Sequence, residues 1–306
     1  VDRYLLLEEL GAGGFGAVYR ARDDVADIQV AIKVLPSLVA HNAEELDKVR
    51  ENFKLVATLR HPNIANVLHL HTVEAVDVVA RSAMGIAAGD HLIVMDYVPG
   101  QTITAYRNKY EDSRIPPQEA FHIGARIAEA LDYAHSQNII HRDIKPANVI
   151  IAPEGDVRVL DFGLAAYIRS SMSRISRDTG DTCGTPAYMS PEQWAGRRQG
   201  PGADQYGLAV LLYEMISGMV PFSSAFESNS RLVMFHAVKT EPPAALAELS
   251  KKQNRALLKA LAKDTKDRFG SCGEFITVLT GGSVPVAKPG THNRTNRAPA
   301  ETHLTG

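Results

Sequence analysis

The sequence predicts an α+β fold of two lobes: a smaller lobe rich in strands over residues 1–98 and a larger, mainly helical lobe over residues 99–280. Two observations carry this prediction. Short apolar and β-branched runs dominate the first third of the chain, whereas long stretches with helical spacing begin at Pro117. The change falls near residues 98–102, where we expect a cleft. Residues 281–306 are rich in Gly, Pro, Thr and Asn without an apolar period, which is typical of a flexible tail or linker.

Local patterns justify the elements in order. Five runs of apolar, β-branched or alternating residues predict strands: Leu5–Leu10, Ala17–Arg22, Val30–Leu35, Ile64–Val73 and His91–Tyr97. Helical spacing predicts four helices: Ala43–Leu59, Gln118–Ser136, Asp204–Gly218 and Arg255–Lys263. His61-Pro62-Asn63 breaks the first helical pattern. Residues 74–90 form either a short extra helix or an elongated turn.

The composition excludes several classes of protein. Of the 306 residues, 45% are hydrophobic and 22% are charged, which supports a sizeable core and excludes a largely disordered chain. The formal charge of -2 indicates neither nucleic acid nor an anionic membrane as the main partner. The two cysteines, Cys183 and Cys272, cannot form a disulfide framework, so we expect a reducing, cytoplasmic compartment.

The chain contains no run of about 18 apolar residues, so we expect no membrane contact from this segment. It begins at Val1 without Met and without a recognisable signal peptide. We therefore expect a domain excised from a longer protein. Membrane anchoring of the full-length protein beyond residue 306 stays open at this point.

A glycine cluster, Gly11-Ala12-Gly13-Gly14-Phe15-Gly16, lies between the first two predicted strands. Dinucleotide-binding folds share this spacing, but in them a helix follows the last glycine directly. Here a predicted strand follows, which argues against a dinucleotide-binding oxidoreductase. A glycine turn between strands lets backbone N–H groups approach phosphates closely. An ordinary Gly-rich hairpin has the same pattern, so the glycines alone do not decide.

Three further motifs carry charged and amide side chains. Val30-Ala31-Ile32-Lys33 places a lysine on a predicted strand, where its ammonium group can act as a point charge on phosphates. His141-Arg142-Asp143-Ile144-Lys145-Pro146-Ala147-Asn148 gathers a carboxylate, an ammonium and a carboxamide within six positions. Asp161-Phe162-Gly163 follows an apolar run. The carboxylate of Asp161 and the amide oxygen of Asn148 are ligands that Mg²⁺ prefers.

These four motifs, in this order, resemble the signature set of protein kinases. The sequence is similar to eukaryotic-like serine/threonine protein kinases of the bacterial type, from about Tyr4 to Leu279. The resemblance implies a kinase fold, with a small antiparallel β-sheet lobe that carries one main helix and a larger helical lobe. It also implies transfer of the γ-phosphoryl group of ATP to Ser or Thr hydroxyls of protein substrates. The implied ion is Mg²⁺, with Mn²⁺ as an alternative.

The resemblance implies roles position by position. The expected nucleotide-binding residues are Gly11, Gly13, Gly16, Val18, Ala31, Lys33, Met95, Asp96, Val98 and Ile150. Asp143 would accept the proton of the substrate hydroxyl, Lys145 would neutralise charge on the transferred group, and Lys33 would contact the α- and β-phosphates. Asn148 and Asp161 would hold the metal ion.

Several residues outside the four motifs also match the family. Lys145 stands two residues after Asp143, and the segment 184–192 resembles the substrate-docking segment of the Ser/Thr class rather than the tyrosine class. The resemblance pairs Glu192 with Arg268. It also implies that Asp204 anchors the loop of Asp143 through hydrogen bonds.

One position departs from the family pattern. The family pairs the strand lysine with a glutamate on the first helix, but the usual spacing back from His61 reaches Asn52. The neighbouring Glu51 would be turned about 100° around the helix. An Asn amide can bond Lys33 through its oxygen, but a charged acceptor makes a bond roughly twice as strong. We expect a kinase of lowered or specially regulated activity; the alternative is a weakly active or inactive pseudokinase that acts as a nucleotide-binding regulatory module.

Residues 165–183 are polar and rich in hydroxyl groups, and the resemblance makes them an activation loop. We expect autophosphorylation there, with Thr179 and Thr182 as candidates and with self-association of two copies for the reaction. Asp181 can partly replace a phosphate on Arg142, or it is a solvated loop residue. The histidines outside the motifs show no metal-ligand spacing.

Overall fold

The computed structural model describes residues 3–13, 16–73, 86, 89–163, 168, 186–228 and 230–282. Three predictions fall largely outside these residues. They concern the extra helix or turn at 74–90, the phosphorylation candidates with Asp181, and the tail beyond residue 282.

The first lobe is built on one antiparallel sheet of five strands, in the order β1-β2-β3-β5-β4. The strands are β1 (Tyr4–Gly13), β2 (Gly16–Asp23), β3 (Ile28–Val34), β4 (Val67–Thr72) and β5 (His91–Asp96). All five predicted strands are confirmed. Because side chains alternate along a strand, Ile32 and Val94 join a core cluster on one face of the sheet. Ala31 and Met95 join the main core on the other face.

Two helices, α1 (Ser37–Ala40) and α2 (Ala43–Val56), connect β3 to β4. Asn42 begins α2, because its side-chain oxygen accepts a hydrogen bond from the backbone N–H of Glu45 at 3.1 Å. Leu46, Val49 and Val56 are buried on the face that packs into the core. The predicted main helix of this lobe is confirmed, although it ends three residues before the predicted Leu59.

The described part of the second lobe is mainly helical. Its helices are α3 (Ile103–Arg107), α4 (Pro117–Ser136), α5 (Pro191–Trp194), α6 (Pro201–Ser217), α7 (Ser223–Glu227), α8 (Arg231–Thr240), α9 (Lys251–Ala260) and α10 (Cys272–Thr280). A small antiparallel sheet lies in the order β6 (Gln101–Thr102), β7 (Val149–Ile151), β8 (Val157–Val159). Sequence patterns predicted α4, α6 and α9 but missed the small sheet and the other helices, because most of these elements are too short to show a clear period.

Helix α6 forms the centre of this lobe. Proline is well placed at its start because the first N–H groups of a helix have no intrahelical partner. Leu208, Leu211 and Leu212 are fully buried, and each contributes about 1.5–3 kcal/mol through loss of apolar surface from water. The helix ends at Gly218, whose φ of 82° lies in the left-handed region that favours glycine.

The chain leaves the first sheet at Asp96 and enters the small sheet of the second lobe at Gln101. The predicted lobe boundary between residues 98 and 99 lies on this connection, and its exact position stays a prediction. In the part of the chain that the structure describes, no helix has the length and apolarity needed to cross a membrane.

The pair of Glu192 and Arg268 forms as expected. The guanidinium donates to both carboxylate oxygens at 2.8 Å, and it also donates to the backbone oxygens of Gly202 and Ala262. Burial by itself would raise the pKa of Glu192, but the hydrogen bonds and the charge of Arg268 outweigh this effect and hold that pKa below its usual value. The side chain of Arg268 has 0% exposure, so its loss would leave a carboxylate without its counter-charge.

We expect Arg268→Met to lower the free energy of unfolding by about 3–5 kcal/mol, because removing one partner of a buried pair leaves an uncompensated charge. Urea denaturation followed by circular dichroism measures this loss. Arg126→Met removes the half-exposed pair with Glu129 and should change the free energy by less than about 1 kcal/mol. Equal effects of the two substitutions would contradict the structural role of the buried pair.

Candidate functional site

The glycine cluster forms the end of the β1–β2 hairpin, and Gly13 pairs with Gly16 across it. Gly16 has a φ of +98°, and a Cβ atom at this position would lie 1.9 Å from the backbone oxygen of Val34. A side chain at position 16 would therefore clash with β3, which explains why the hairpin needs glycine here. Leu10, just before the cluster, is an exposed apolar residue that the sequence reasoning did not single out.

Lys33 connects the two lobes. It lies on β3 opposite Val18, and its buried Nζ is 2.7 Å from the Oδ2 atom of Asp161. Asp161 follows β8 in the second lobe and has a φ of 59°, an uncommon conformation for a residue with a side chain. The ion pair therefore brings the strand lysine and the Asp161-Phe162-Gly163 motif together.

The expectation that Asn52 can hydrogen-bond Lys33 was wrong for this structure. The amide of Asn52 donates instead to the backbone oxygen of Lys48, one turn earlier on α2, at 2.9 Å. Glu51 is exposed and does not take the place of Asn52. The ammonium group of Lys33 pairs with the carboxylate of Asp161, since an ionised acceptor makes the stronger hydrogen bond.

Asp143, Lys145 and Asn148 form a second cluster. Lys145 Nζ lies 3.0 Å from Asp143 Oδ2, and the Asn148 amide donates to the same carboxylate oxygen at 3.0 Å and to the Asp143 backbone oxygen at 2.8 Å. Because the amide nitrogen of Asn148 serves Asp143, its amide oxygen is the group that can meet a cation. The carboxylate of Asp143 is thus held by two neighbours from its own loop.

The small sheet brings the two loops side by side. Val149 pairs with Val159, and the N–H of Leu160 donates to the backbone oxygen of Asn148 at 2.8 Å. Asp161 follows immediately and pairs with Lys33. Residues that are far apart in the sequence therefore line one region between the lobes.

Asp204 on α6 anchors the loop of Asp143. Its buried carboxylate accepts hydrogen bonds from the backbone N–H groups of His141 at 2.8 Å and Arg142 at 2.7 Å, and it lies 2.8 Å from His135 Nε2. The anchor that the resemblance implied is confirmed. Gln193 adds a bond to the backbone oxygen of Arg142 at 2.9 Å. The sequence reasoning missed this residue, because nothing in its local pattern indicates a partner 51 positions away.

The apolar nucleotide-binding candidates come from both lobes. Ala31 and Met95 are directly paired in the sheet and are 7% exposed each. Val18 on β2 and Ile150 on β7 are partly exposed. These small or flexible apolar side chains come from the two sheets that flank the connection between the lobes, and their contact with a nucleotide stays a prediction.

The connection itself is held by Asn66, another residue that the sequence reasoning missed. The backbone N–H and the amide of Asn66 donate to Asp96 Oδ2 at 3.0 and 2.7 Å, and the N–H of Asp96 donates back to the Asn66 oxygen at 2.9 Å. The side chain of Asp96 is therefore used to position the connection. Val98 lies two residues further on and is partly exposed.

The chain matches the family model of the protein kinase domain over residues 4–277. It is 34% identical over 290 residues to a probable serine/threonine-protein kinase PknB of Bifidobacterium longum, covering 93% of this chain and 41% of that protein. It is also 34% identical over 284 residues to the serine/threonine-protein kinase PknF of Mycobacterium tuberculosis, covering 90% and 55%. The chain thus spans about half or less of the length of these relatives.

Solved structures agree with this result. The crystal structure of the Mycobacterium tuberculosis PknI kinase domain superposes with a TM-score of 0.67 at 27% identity, covering 92% of this chain and 95% of that one. The chain belongs to the protein kinase family. Both the kinase fold and the similarity to bacterial-type serine/threonine kinases that the four motifs predicted are confirmed.

We expect Asp204→Asn to loosen the loop of Asp143, because the neutral amide is a weaker acceptor for the two backbone N–H groups. The free energy of unfolding should fall by about 1–3 kcal/mol. Hydrogen exchange at His141 and Arg142 should become faster than in the unchanged chain. Unchanged exchange at these two amides would contradict the anchoring role.

Proposed function

We propose that this domain is an ATP-dependent serine/threonine protein kinase that transfers the γ-phosphoryl group to hydroxyls of protein substrates. Members of this family use ATP and a divalent metal ion and act on proteins. The observation that carries the proposal is the ion pair of Lys33 with Asp161 at 2.7 Å beside the cluster of Asp143, Lys145 and Asn148. It supplies a base, two cations and two oxygen ligands in one region.

Asp143 is proposed as the group that accepts the proton of the substrate hydroxyl. The amide of Asn148 and the ammonium of Lys145 both contact Asp143 Oδ2, so they hold the carboxylate in one orientation. Lys145 also offsets the negative charge that develops on the transferred group. In phosphoryl transfer the protein contributes mainly by such positioning and electrostatic stabilisation.

The donor set fits a hard divalent ion. Asp161 uses one carboxylate oxygen on Lys33, which leaves the other for a metal, and Asn148 offers its amide oxygen. Oxygen ligands of this kind suit Mg²⁺ and also Mn²⁺, and we propose Mg²⁺ as the ion. When bound, such an ion neutralises charge on the nucleotide phosphates.

The nucleotide is proposed to bind between the lobes. The backbone of Gly11, Gly13 and Gly16 would approach the phosphates, which Lys33 also contacts. The base would lie among the side chains of Val18, Ala31, Met95 and Ile150, with Asp96 and Val98 offering backbone groups to its edge. The support is their placement around the connection between the lobes.

The pseudokinase alternative depends on Asn52 alone. Lys33, Asp143, Asn148 and Asp161 are all present and in contact with partners of the expected chemistry. The relatives are named as kinases, and nothing in the comparisons favours the alternative. We propose lowered or regulated activity, self-association for autophosphorylation, and a cytoplasmic location.

Asp143→Asn should abolish phosphate transfer from radiolabelled ATP to a generic acceptor protein and to the chain itself, with a rate at least about 10²-fold lower. Loss of the proton acceptor is the reason. The assay is run with Mg²⁺ and with Mn²⁺, and self-labelling at several chain concentrations reports on self-association. Asp156→Asn, at an exposed position, is the matched control and should keep full activity. Nucleotide-dependent thermal stabilisation of the unchanged chain without any transfer would favour the pseudokinase.

Asn52→Glu should raise turnover, because a glutamate at this position offers Lys33 a charged acceptor in addition to Asp161. Initial rates at saturating ATP measure the effect. Glu51→Gln, on an exposed position next to it, should leave the rate unchanged. If Asn52→Glu also leaves the rate unchanged, Asn52 does not limit the positioning of Lys33.

A further inference from the structure

A cluster of three metal-binding side chains lies beneath the loop of Asp143. Asp132, His135 and Cys272 place their ligand atoms within 4.8 Å of one another. Asp132 and His135 are three residues apart on α4, so both project from the same face of the helix. Cys272 is the first residue of α10 and joins the cluster only in the folded chain.

Two backbone hydrogen bonds hold the cysteine against this face. The carboxylate oxygens of Asp132 accept the N–H of Cys272 at 2.9 Å and the N–H of Gly273 at 2.8 Å. Each carboxylate oxygen keeps a second lone pair, so these bonds do not prevent metal binding. The bonds position the sulfur beside the carboxylate whether or not an ion is bound.

The orientation of His135 is set from the opposite side. Asp204 already accepts two backbone N–H groups, so its contact with His135 Nε2 at 2.8 Å requires that this nitrogen carries the proton. In the neutral ring the lone pair of Nδ1 then faces Asp132 Oδ1 at 4.0 Å. A histidine with a carboxylate behind its second nitrogen is the usual arrangement around metal-ligating imidazoles.

Distance and access also suit an ion. Nitrogen and oxygen ligands about 2.0–2.2 Å from a tetrahedral Zn²⁺ are separated by roughly 3.3–3.6 Å. The observed 4.0 Å is a few tenths of an ångström from this separation, which a small rotation of the half-exposed Asp132 side chain can supply. Its side chain is 33% exposed and gives the cluster an opening to solvent, whereas Cys272 is buried.

We propose that Asp132, His135 and Cys272 form a Zn²⁺ site with a fourth position for water, separate from the oxygen site of Asn148 and Asp161. On binding, the Cys272 thiol releases its proton to solvent and a Zn–S bond forms. A thiolate and an imidazole select Zn²⁺ over Mg²⁺, which prefers oxygen ligands. Because His135 bonds Asp204, the ion would brace the anchor of the Asp143 loop.

The state of the free thiol favours ions that bind sulfur strongly. Burial, together with the charges of Asp132 and Asp204, raises the pKa of Cys272 well above its usual value. The ion must therefore displace a tightly held proton, which a weakly sulfur-binding cation does not do.

Co²⁺ is the probe, because a cobalt–thiolate bond has a charge-transfer absorption that an oxygen-only site lacks. The metal-free full chain is titrated with Co²⁺ without nucleotide, and we expect stoichiometric growth of this absorption with visible bands of tetrahedral intensity. Added Zn²⁺ should remove both. Absence of the charge-transfer band would overturn the proposal and leave Asp132 as a helix cap alone.

Matched variants assign the ligands. Cys272→Ser and His135→Gln should lower the apparent Co²⁺ affinity at least about 10-fold. Cys183→Ser, at the other cysteine, should bind like the unchanged chain. A cooperative thermal transition of each variant shows that it is folded. In addition, Zn²⁺ should raise the Tm of the unchanged chain but not that of Cys272→Ser, and a charge-transfer band that persists in Cys272→Ser would contradict the site.

Discussion

The organisation of the site depends on one buried carboxylate, that of Asp204. A charge with 1% exposure is costly unless hydrogen bonds satisfy it, and Asp204 receives them from His135 on α4 and from the backbone of His141 and Arg142. The same bonds fix a loop in which Arg142 has a φ of 66°. Asp143 follows directly, so the geometry of the proposed base follows from a residue that does not take part in the chemistry.

The ion pair of Lys33 and Asp161 is the second constraint, and it acts between the lobes. Both side chains are largely buried, and removal of such charges from water offsets much of their attraction. The pair therefore positions groups rather than stabilising the fold strongly. Lys33 shares its ammonium with the carboxylate proposed to hold the metal, and Asn52 is turned back onto its own helix. This arrangement gives a physical reason for lowered or regulated activity.

Much of the fold could be predicted because local patterns encode it. The five strands, α2, α4, α6 and α9 all follow from periodicity, caps or proline signals. The four motifs marked Lys33, Asp143, Asn148 and Asp161 because their residue types and order suit phosphate and metal chemistry. Asn66 and Gln193 could not be found in this way, since each acts through a partner distant in sequence.

The sequence alone determined which chemical groups the chain carries, which segments become strands or helices, and the family to which it belongs. Only the tertiary structure decided which groups meet: Lys33 with Asp161 rather than Asn52, and Cys272 with Asp132 and His135. The reason is physical. Local structure depends on neighbours along the chain, whereas these contacts depend on how the burial of apolar faces brings remote segments together, and the charges then select among the partners within reach.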